Sequence, residues 1–223
     1  MTAPAGDSPS IYPPAPFRET RREVLIDFIH RTVFGYLITS GPAGPCACGA
    51  PFVVREQAEG GVVLEAHLSR ANPQGFSTQP FAMALFAGPH AYVRPGWYPT
   101  KARDGRAVPT WDYISVQAKG ALGVIDDGAW LTGHLERLSA QQESAFTDPW
   151  SPTDPPPGYV DALARGIIGI RLAVTSLEGV WKLHQNHPAE NRLGVIAGLS
   201  ALEDDGARAV ARAIKAREPP HED

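Results

Sequence analysis

The sequence predicts an α+β protein: an antiparallel β-barrel with accessory helices at the edges and in the middle of the chain. Three observations carry this expectation. About seven short strand candidates occur without the alternation of strand and helix that builds a doubly wound sheet. The 223 residues include 22 Gly and 22 Pro, a supply of turn formers that suits loop-rich β structure and breaks helical bundles. A long strand candidate, Tyr113–Ile125, contains Gly120 and Gly123, the pattern of a strand that bends at a barrel corner.

The elements follow in order. Residues 1–10 are rich in Pro, Ala, Ser and Gly and are expected to fray. Thr20–Val33 reads as the first helix, with Thr20 and Glu23 as a capping box and Val24, Leu25, Phe28, Ile29 and Val33 at helical spacing. The aromatic and branched stretch Phe34–Thr39 suits a strand, and Gly41–Gly49 is expected to be a loop. Further strand candidates are Pro51–Arg55, Gly61–Ala66, Phe81–Ala87 and Ala91–Arg94. Trp130–Phe146 reads as a second helix, a proline-rich hinge spans Pro149–Gly158, and a short helix is expected near Tyr159–Leu163. Ile167–Val174 and Gly179–Leu183 read as late strands, and Leu199–Ala216 as a final amphipathic helix. There is no internal repeat and no linker long enough to separate two independent domains. The expected organisation is a frayed 1–10, a barrel domain over 11–200, and a C-terminal helix and tail over 201–223.

Composition narrows the function classes. A net charge of −4 argues against a free-standing nucleic-acid binder, whose affinity rests on Lys and Arg neutralising phosphates, and no helix-turn-helix pattern is evident. Cys46 and Cys48, one residue apart, make a poor disulfide or zinc site and read as reduced thiols. The start lacks a basic region followed by an apolar one, and no apolar run approaches the length of a membrane helix. The expected location is the cytoplasm. Walker A, G-x-G-x-x-G, H-E-x-x-H and G-x-S-x-G patterns are all missing.

Four segments concentrate chemistry. In Glu65–Gln74, His67, Ser69, Arg70 and Asn72 follow a strand candidate. Arg70 offers a planar fork and Ser69 a short donor, which suits a dianionic phosphate; a solvated polar turn is the alternative. Gly88–Val93 leads to Trp97–Lys101, and Val108–Tyr113 contains Thr110 and Trp111. These aromatic faces beside hydroxyls suit a flat heterocycle, with core packing as the alternative. The fourth segment is Trp181–His187, with Lys182, Gln185 and Asn186 as polar donors. His184 and His187 would align on a helix, but two ligands with no carboxylate or Cys nearby in sequence make a poor metal site.

Together the strings HLSRANPQ, AMALFAGPHAYVRPGWYPTK, VPTWDY and KLHQN, with GVIAGL shortly after, resemble the hallmark blocks of PaiB-type FMN-binding negative transcriptional regulators. The resemblance runs from about Tyr12 to Leu199. It implies a split β-barrel related to pyridoxamine-phosphate oxidases and flavin reductases, a homodimer, bound FMN and a regulatory role. By the same resemblance, His67, Ser69, Arg70 and Asn72 fall in the phosphate-side block. Thr110 and Trp111 fall where the ring would be flanked, and Lys182, Gln185 and Asn186 where the chain would reach the cofactor late. His184 stands where the family usually has Ser, Gly75 where an aromatic is more usual, and the Cys46–Pro51 stretch is unlike the family. The competing expectation is an FMN-dependent oxidoreductase, in which the protein would orient the ring and tune its electronics. A third is haem binding through a His.

Overall fold

The structure is a computed structural model that describes residues 14–76 and 78–217; the expectation for residues 1–10 falls outside them. The described residues form two compact units, one within Arg22–Phe86 and Gln117–Leu177, the other within 14–21, Ala87–Val116 and 178–217.

In the larger unit, α1 (Arg22–Thr32) buries Leu25, Phe28 and Ile29 on one face. It stops at Val33, whose φ of 57° cannot continue a right-handed helix, and β2 (Phe34–Gly41) begins at once. A two-residue turn then returns the chain as β3 (Gly44–Pro51), paired antiparallel with β2 from Phe34↔Pro51 to Gly41↔Gly44. The expected loop over Gly41–Gly49 is therefore a hairpin. Gly44 takes the φ of 108° that the turn requires, and Gly49 lies directly under the Phe34 ring, where a Cβ would stand 2.4 Å from it. β4 (Val53–Glu56) pairs with β5 (Val62–Ser69), and β5 with β8 (Ile167–Lys182), from Val62↔Val174 to Ser69↔Ile167. β6 (Gln79–Val93) pairs with β2 at Tyr36↔Leu85 and Ile38↔Met83. Phe52 and Phe86 meet edge to face, 5.5 Å apart, in a core with Leu37, Leu64, Ile170 and Leu172.

The long strand β7 (Thr110–Ile125) alternates strictly, turning Asp112, Ile114, Val116, Ala118, Gly120 and Leu122 inward. Gly120 marks a close approach of backbones, since a Cβ there would stand 1.8 Å from the Ala173 carbonyl oxygen. The helix α3 (Gly128–Glu143) is capped by Asp127, whose side chain accepts from the Trp130 N–H at 2.7 Å. A short α4 (Tyr159–Ala164) precedes β8.

In the smaller unit, the two-residue strand β1 (Arg18–Glu19) pairs with the end of β8 at Arg18↔Val180. A 3-10 turn at Pro95–Trp97 and the short α2 (Lys101–Asp104) lie between β6 and β7. The C-terminal region holds two helices in place of the single one expected over Leu199–Ala216. These are α5 (Ala189–Ser200) and α6 (Asp205–Lys215). Asp204 separates them by capping α6, accepting from the Ala207 N–H. Likewise, the separate strands expected at Phe81–Ala87 and Ala91–Arg94, and at Ile167–Val174 and Gly179–Leu183, are continuous in β6 and β8. The hydrogen-bonded order is β3-β2-β6-β7-β8-β5-β4. No described helix is long and apolar enough to cross a membrane.

Candidate functional site

The smaller unit holds a cavity of about 490 Å³ whose walls include Phe17, Tyr98, Ala107–Thr110, Asp112, Lys182, His184, Asn186 and His187. That size lies within the usual range for small-molecule sites. Its polar floor comes from the inward side of β7 and the end of β8. Strand alternation turns Asp112 into the interior, where it is 1% exposed. There it meets His184, which is 2% exposed and sits at a φ of 62°. The turn is braced by Gln185, whose side chain accepts from the Leu183 N–H at 2.8 Å and donates to the Trp181 carbonyl.

An ionised carboxylate can only accept, so His184 Nδ1–H donates to Asp112 Oδ2 at 2.5 Å. In the neutral ring Nε2 then accepts from the Tyr98 hydroxyl at 2.9 Å. Burial first, then the Asp112 charge and Tyr92, push the Tyr98 hydroxyl up to about 12. His187 stacks on Tyr98 at 5.3 Å and lies 4.5 Å from the His184 ring. Burial, followed by the neighbouring His184, holds His187 below the usual imidazole range. Asp112 Oδ1 accepts no hydrogen bond among the described residues and lies 3.9 Å from Lys182 Nζ. Lys182 in turn donates to Thr110 Oγ1 at 2.6 Å and to the Trp111 carbonyl.

The structure thus brings Thr110, Trp111, Lys182, Gln185 and Asn186 together in one unit, with different jobs. Thr110, Lys182 and Asn186 line the cavity. Gln185 is spent on its own turn. The Trp111 ring is half exposed and donates from Nε1 to His90 Nδ1 at 3.2 Å. Sequence reasoning weighed His184 only as a poor metal ligand and did not single out Tyr98 or Asp112. It also saw no carboxylate near the histidines, because Asp112 lies 72 positions away from His184. His184 and His187 lie in a turn after β8, not on a helix. Among the described residues no group of three or more His, Cys, Asp or Glu could hold a metal ion.

The four residues of the HLSRANPQ block lie in the larger unit. Arg70 grips both carboxylate oxygens of Asp126 and donates from Nε to the Arg165 carbonyl at 3.0 Å, and this pairing holds the Asp126 carboxyl below its ordinary range. Ser69 Oγ accepts from the Ala71 N–H at 3.2 Å, and Asn72 Oδ1 from the Gln74 N–H at 3.0 Å. His67 faces inward, its Nδ1 3.1 Å from His134 Nε2, while His134 stacks flat on Trp130 with ring centroids 5.1 Å apart.

The fully buried His134 is held down to about 4 by burial and then by His67, against an ordinary 6.5. The unfolded chain therefore binds this proton first as pH falls. Stability present above pH 6.5 is lost progressively down to about 4. The loss is on the order of 3 kcal/mol, at about 1.4 kcal/mol per tenfold change in proton affinity. Urea midpoints measured across this range should fall for the natural protein and flatten for His134→Gln. An equally steep fall in the variant would place the acid sensitivity elsewhere.

A family model described as "Putative FMN-binding domain" matches residues 11–176. The chain belongs to that family. The matched stretch includes His67, Arg70, Tyr98, Thr110 and Asp112 and ends before Lys182 and His184. Among its relatives, an uncharacterized protein of Emericella nidulans is 30% identical, with 89% of this chain and 94% of that protein aligned. The protease synthase and sporulation protein PAI 2 of Bacillus subtilis is 25% identical, with 92% and 97% aligned. These matches place the chain with the PaiB-like members of the FMN-binding family. Among solved structures, the FAD- and haem-binding protein of Mycobacterium smegmatis superposes with a TM-score of 0.53 at 14% identity, covering 79% of this chain and 78% of that one. The flavocytochrome Anf3 of Azotobacter vinelandii gives 0.52 at 12% identity, covering 74% and 69%. The fold is an α+β split β-barrel with accessory helices.

Proposed function

We propose that this family member binds FMN and serves as a flavin-dependent regulatory protein of the PaiB type. The observation that carries the reading is the cavity floor. There a buried, unsatisfied carboxylate oxygen of Asp112 lies beside the Lys182 ammonium, and Val108 and Pro109 are among the residues that line the cavity. A heterocycle with donors and acceptors on one edge and an apolar face fits that set. Lys182, Thr110, Asn186 and Asp112 would hold the edge of the ring. When bound, FMN would supply electron-transfer chemistry that no side chain here provides. Regulation by autonomous DNA binding is not part of the proposal, because the chain is acidic overall with a net charge of −4.

We also propose the His67, Ser69, Arg70 and Asn72 block of the larger unit as a phosphate-binding group in its own right, tested separately from the cavity. Asp126 already neutralises Arg70 at the surface, so a phosphate would compete with it. Arg70→Ala should weaken FMN binding about tenfold, the lower range for a hydrogen bond to a charged group. Asp126→Asn, which frees the guanidinium, should strengthen it. Fluorescence titration of FMN reads both, with circular dichroism as the folding control. Unchanged affinity in both variants would move the phosphate to another cation.

We also propose a homodimer. Phe34 and Tyr36, alternate residues of β2, are 54% and 47% exposed, and Phe81 on β6 is 84% exposed, apolar area that a second copy would cover. Sedimentation at micromolar concentration should show two chains, and a monomer with FMN bound would refute it. A second functional reading, an FMN-dependent oxidoreductase, is favoured by one observation. Tyr98, His184 and Asp112 form a continuous proton path that ends at the cavity.

A further inference from the structure

We propose that Tyr98, backed by His184 and Asp112, exchanges a proton with the flavin ring held in this cavity; the inference rests on the FMN reading above. Three features of the chain support it. The donor-acceptor chain is unbroken, with Tyr98 Oη 2.9 Å from His184 Nε2 and His184 Nδ1 2.5 Å from Asp112 Oδ2. All three residues are at least nine-tenths buried, yet all three front the cavity. His184 is held in a left-handed backbone conformation that few non-glycine residues adopt, and Gln185 is committed to bracing it. Filling a core needs none of this: a Phe and an apolar residue would pack the same space without burying a carboxylate.

The protons balance without any electron moving through the relay. A proton taken up from a group held in the cavity would form a new Oη–H bond on Tyr98. The original Tyr98 proton passes to His184 Nε2, and the imidazolium is held by the Asp112 carboxylate. The reverse path returns the proton. Because the Tyr98 hydroxyl resists standing ionisation, it serves as a carrier whose proton is replaced as it leaves. The groups facing His184 are Tyr98, Asp112 and His187, with Lys182 behind Asp112 and Arg106 on the cavity wall. Burial keeps His187 toward its neutral form. In these terms Tyr98 is the catalytic residue, and His184 and Asp112 position it and balance its charge.

The test uses the full chain loaded with FMN, comparing the natural protein, Tyr98→Phe and His184→Gln, with the remote surface variant Arg212→Ala as control. FMN affinity is measured first by fluorescence titration. The midpoint potential of bound FMN is then followed against pH, together with the rate of its proton-coupled reduction. Tyr98→Phe keeps the ring that stacks on His187, so affinity should change by less than about threefold, below the effect of losing one hydrogen bond. The pH at which the potential changes slope should move by at least about one unit, and the rate should fall about 100-fold, the low end for a lost general acid or base. His184→Gln should reproduce both effects and stands in for the test if Tyr98→Phe fails to fold. FMN bound normally, with an unmoved slope and rate in these variants, would overturn the relay and leave the functional reading intact. Failure of the natural protein to bind FMN would overturn the reading and the relay together.

Discussion

Lys182→Ala is expected to weaken FMN binding by roughly 2–5 kcal/mol, the range for removing one partner of a hydrogen-bonded charge pair at an interface. The side chain is 26% exposed, so solvent screening puts the effect toward the lower end. The loss has two parts. The cavity loses its ammonium, and Asp112 keeps a buried negative charge whose nearest cation has gone. Lys182 also ties Thr110 and the Trp111 carbonyl at the start of β7, so the variant loosens the wall on which Asp112 is mounted. Lys182→Arg separates these contributions. It retains the charge but presents a planar fork where a compact ammonium fits between Thr110 and Trp111, and it should recover part of the affinity. Titration of all three proteins with FMN, under conditions where circular dichroism is unchanged, reads the result. Equal affinity for Lys182→Ala would exclude this cavity as the ring site.

The second large effect concerns packing beneath the relay. In α5, Gly194 and Gly198 sit one turn apart, and Trp97 is seated against both. A Cβ on Gly194 would stand 2.1 Å from the Trp97 carbonyl oxygen, and one on Gly198 would stand 2.3 Å from its ring. Helix propensity alone favours alanine at either position by about 1 kcal/mol. Displacing a backbone carbonyl and an indole costs about 1–3 kcal/mol and occasionally more, so the clash wins. Gly194→Ala should therefore destabilise the protein by about 1 kcal/mol net and, because Tyr98 directly follows Trp97, also disturb the relay. Gly133 in α3 is the control, since a Cβ there meets only the movable end of Arg137 at 3.2 Å. Gly133→Ala should be neutral or stabilising by up to about 1 kcal/mol. Denaturant midpoints for the pair decide the matter, and a stabilised Gly194→Ala would refute the packing argument.

Much of the architecture was legible because it rests on local rules. The periodic Leu25, Phe28 and Ile29 face of α1 is buried as expected, and Gly120 does mark a strand position with no room for a side chain. The β3 hairpin was not legible, since Cys46, Ala47, Cys48, Gly49 and Ala50 have weak strand preference and are held extended by pairing with β2. The break between α5 and α6 was signalled by Asp204, a strong N-cap residue lying inside the run read as one helix. At the site, the four chemistry-bearing segments were visible, but their division between the two units was not. Asp112 carried an unused signal. It shares strand parity with Ile114, Val116 and Ala118, and an acidic residue on the inward face of a strand demands a partner. His184 as that partner could not be inferred, because their meeting depends on the pairing of distant strand ends.

Pro45 and Pro51 stand near the two ends of β3, which forms one edge of the sheet. Neither has an N–H to lend to a foreign strand. Cross-β growth draws on about six or seven consecutive residues of strong strand preference without proline, and the stretch between these prolines is Cys46–Ala50, small residues interrupted by Gly49. The edge is therefore a poor seed for fibrils, and at high concentration the chain should reach its solubility limit through its exposed aromatic faces before it templates amyloid.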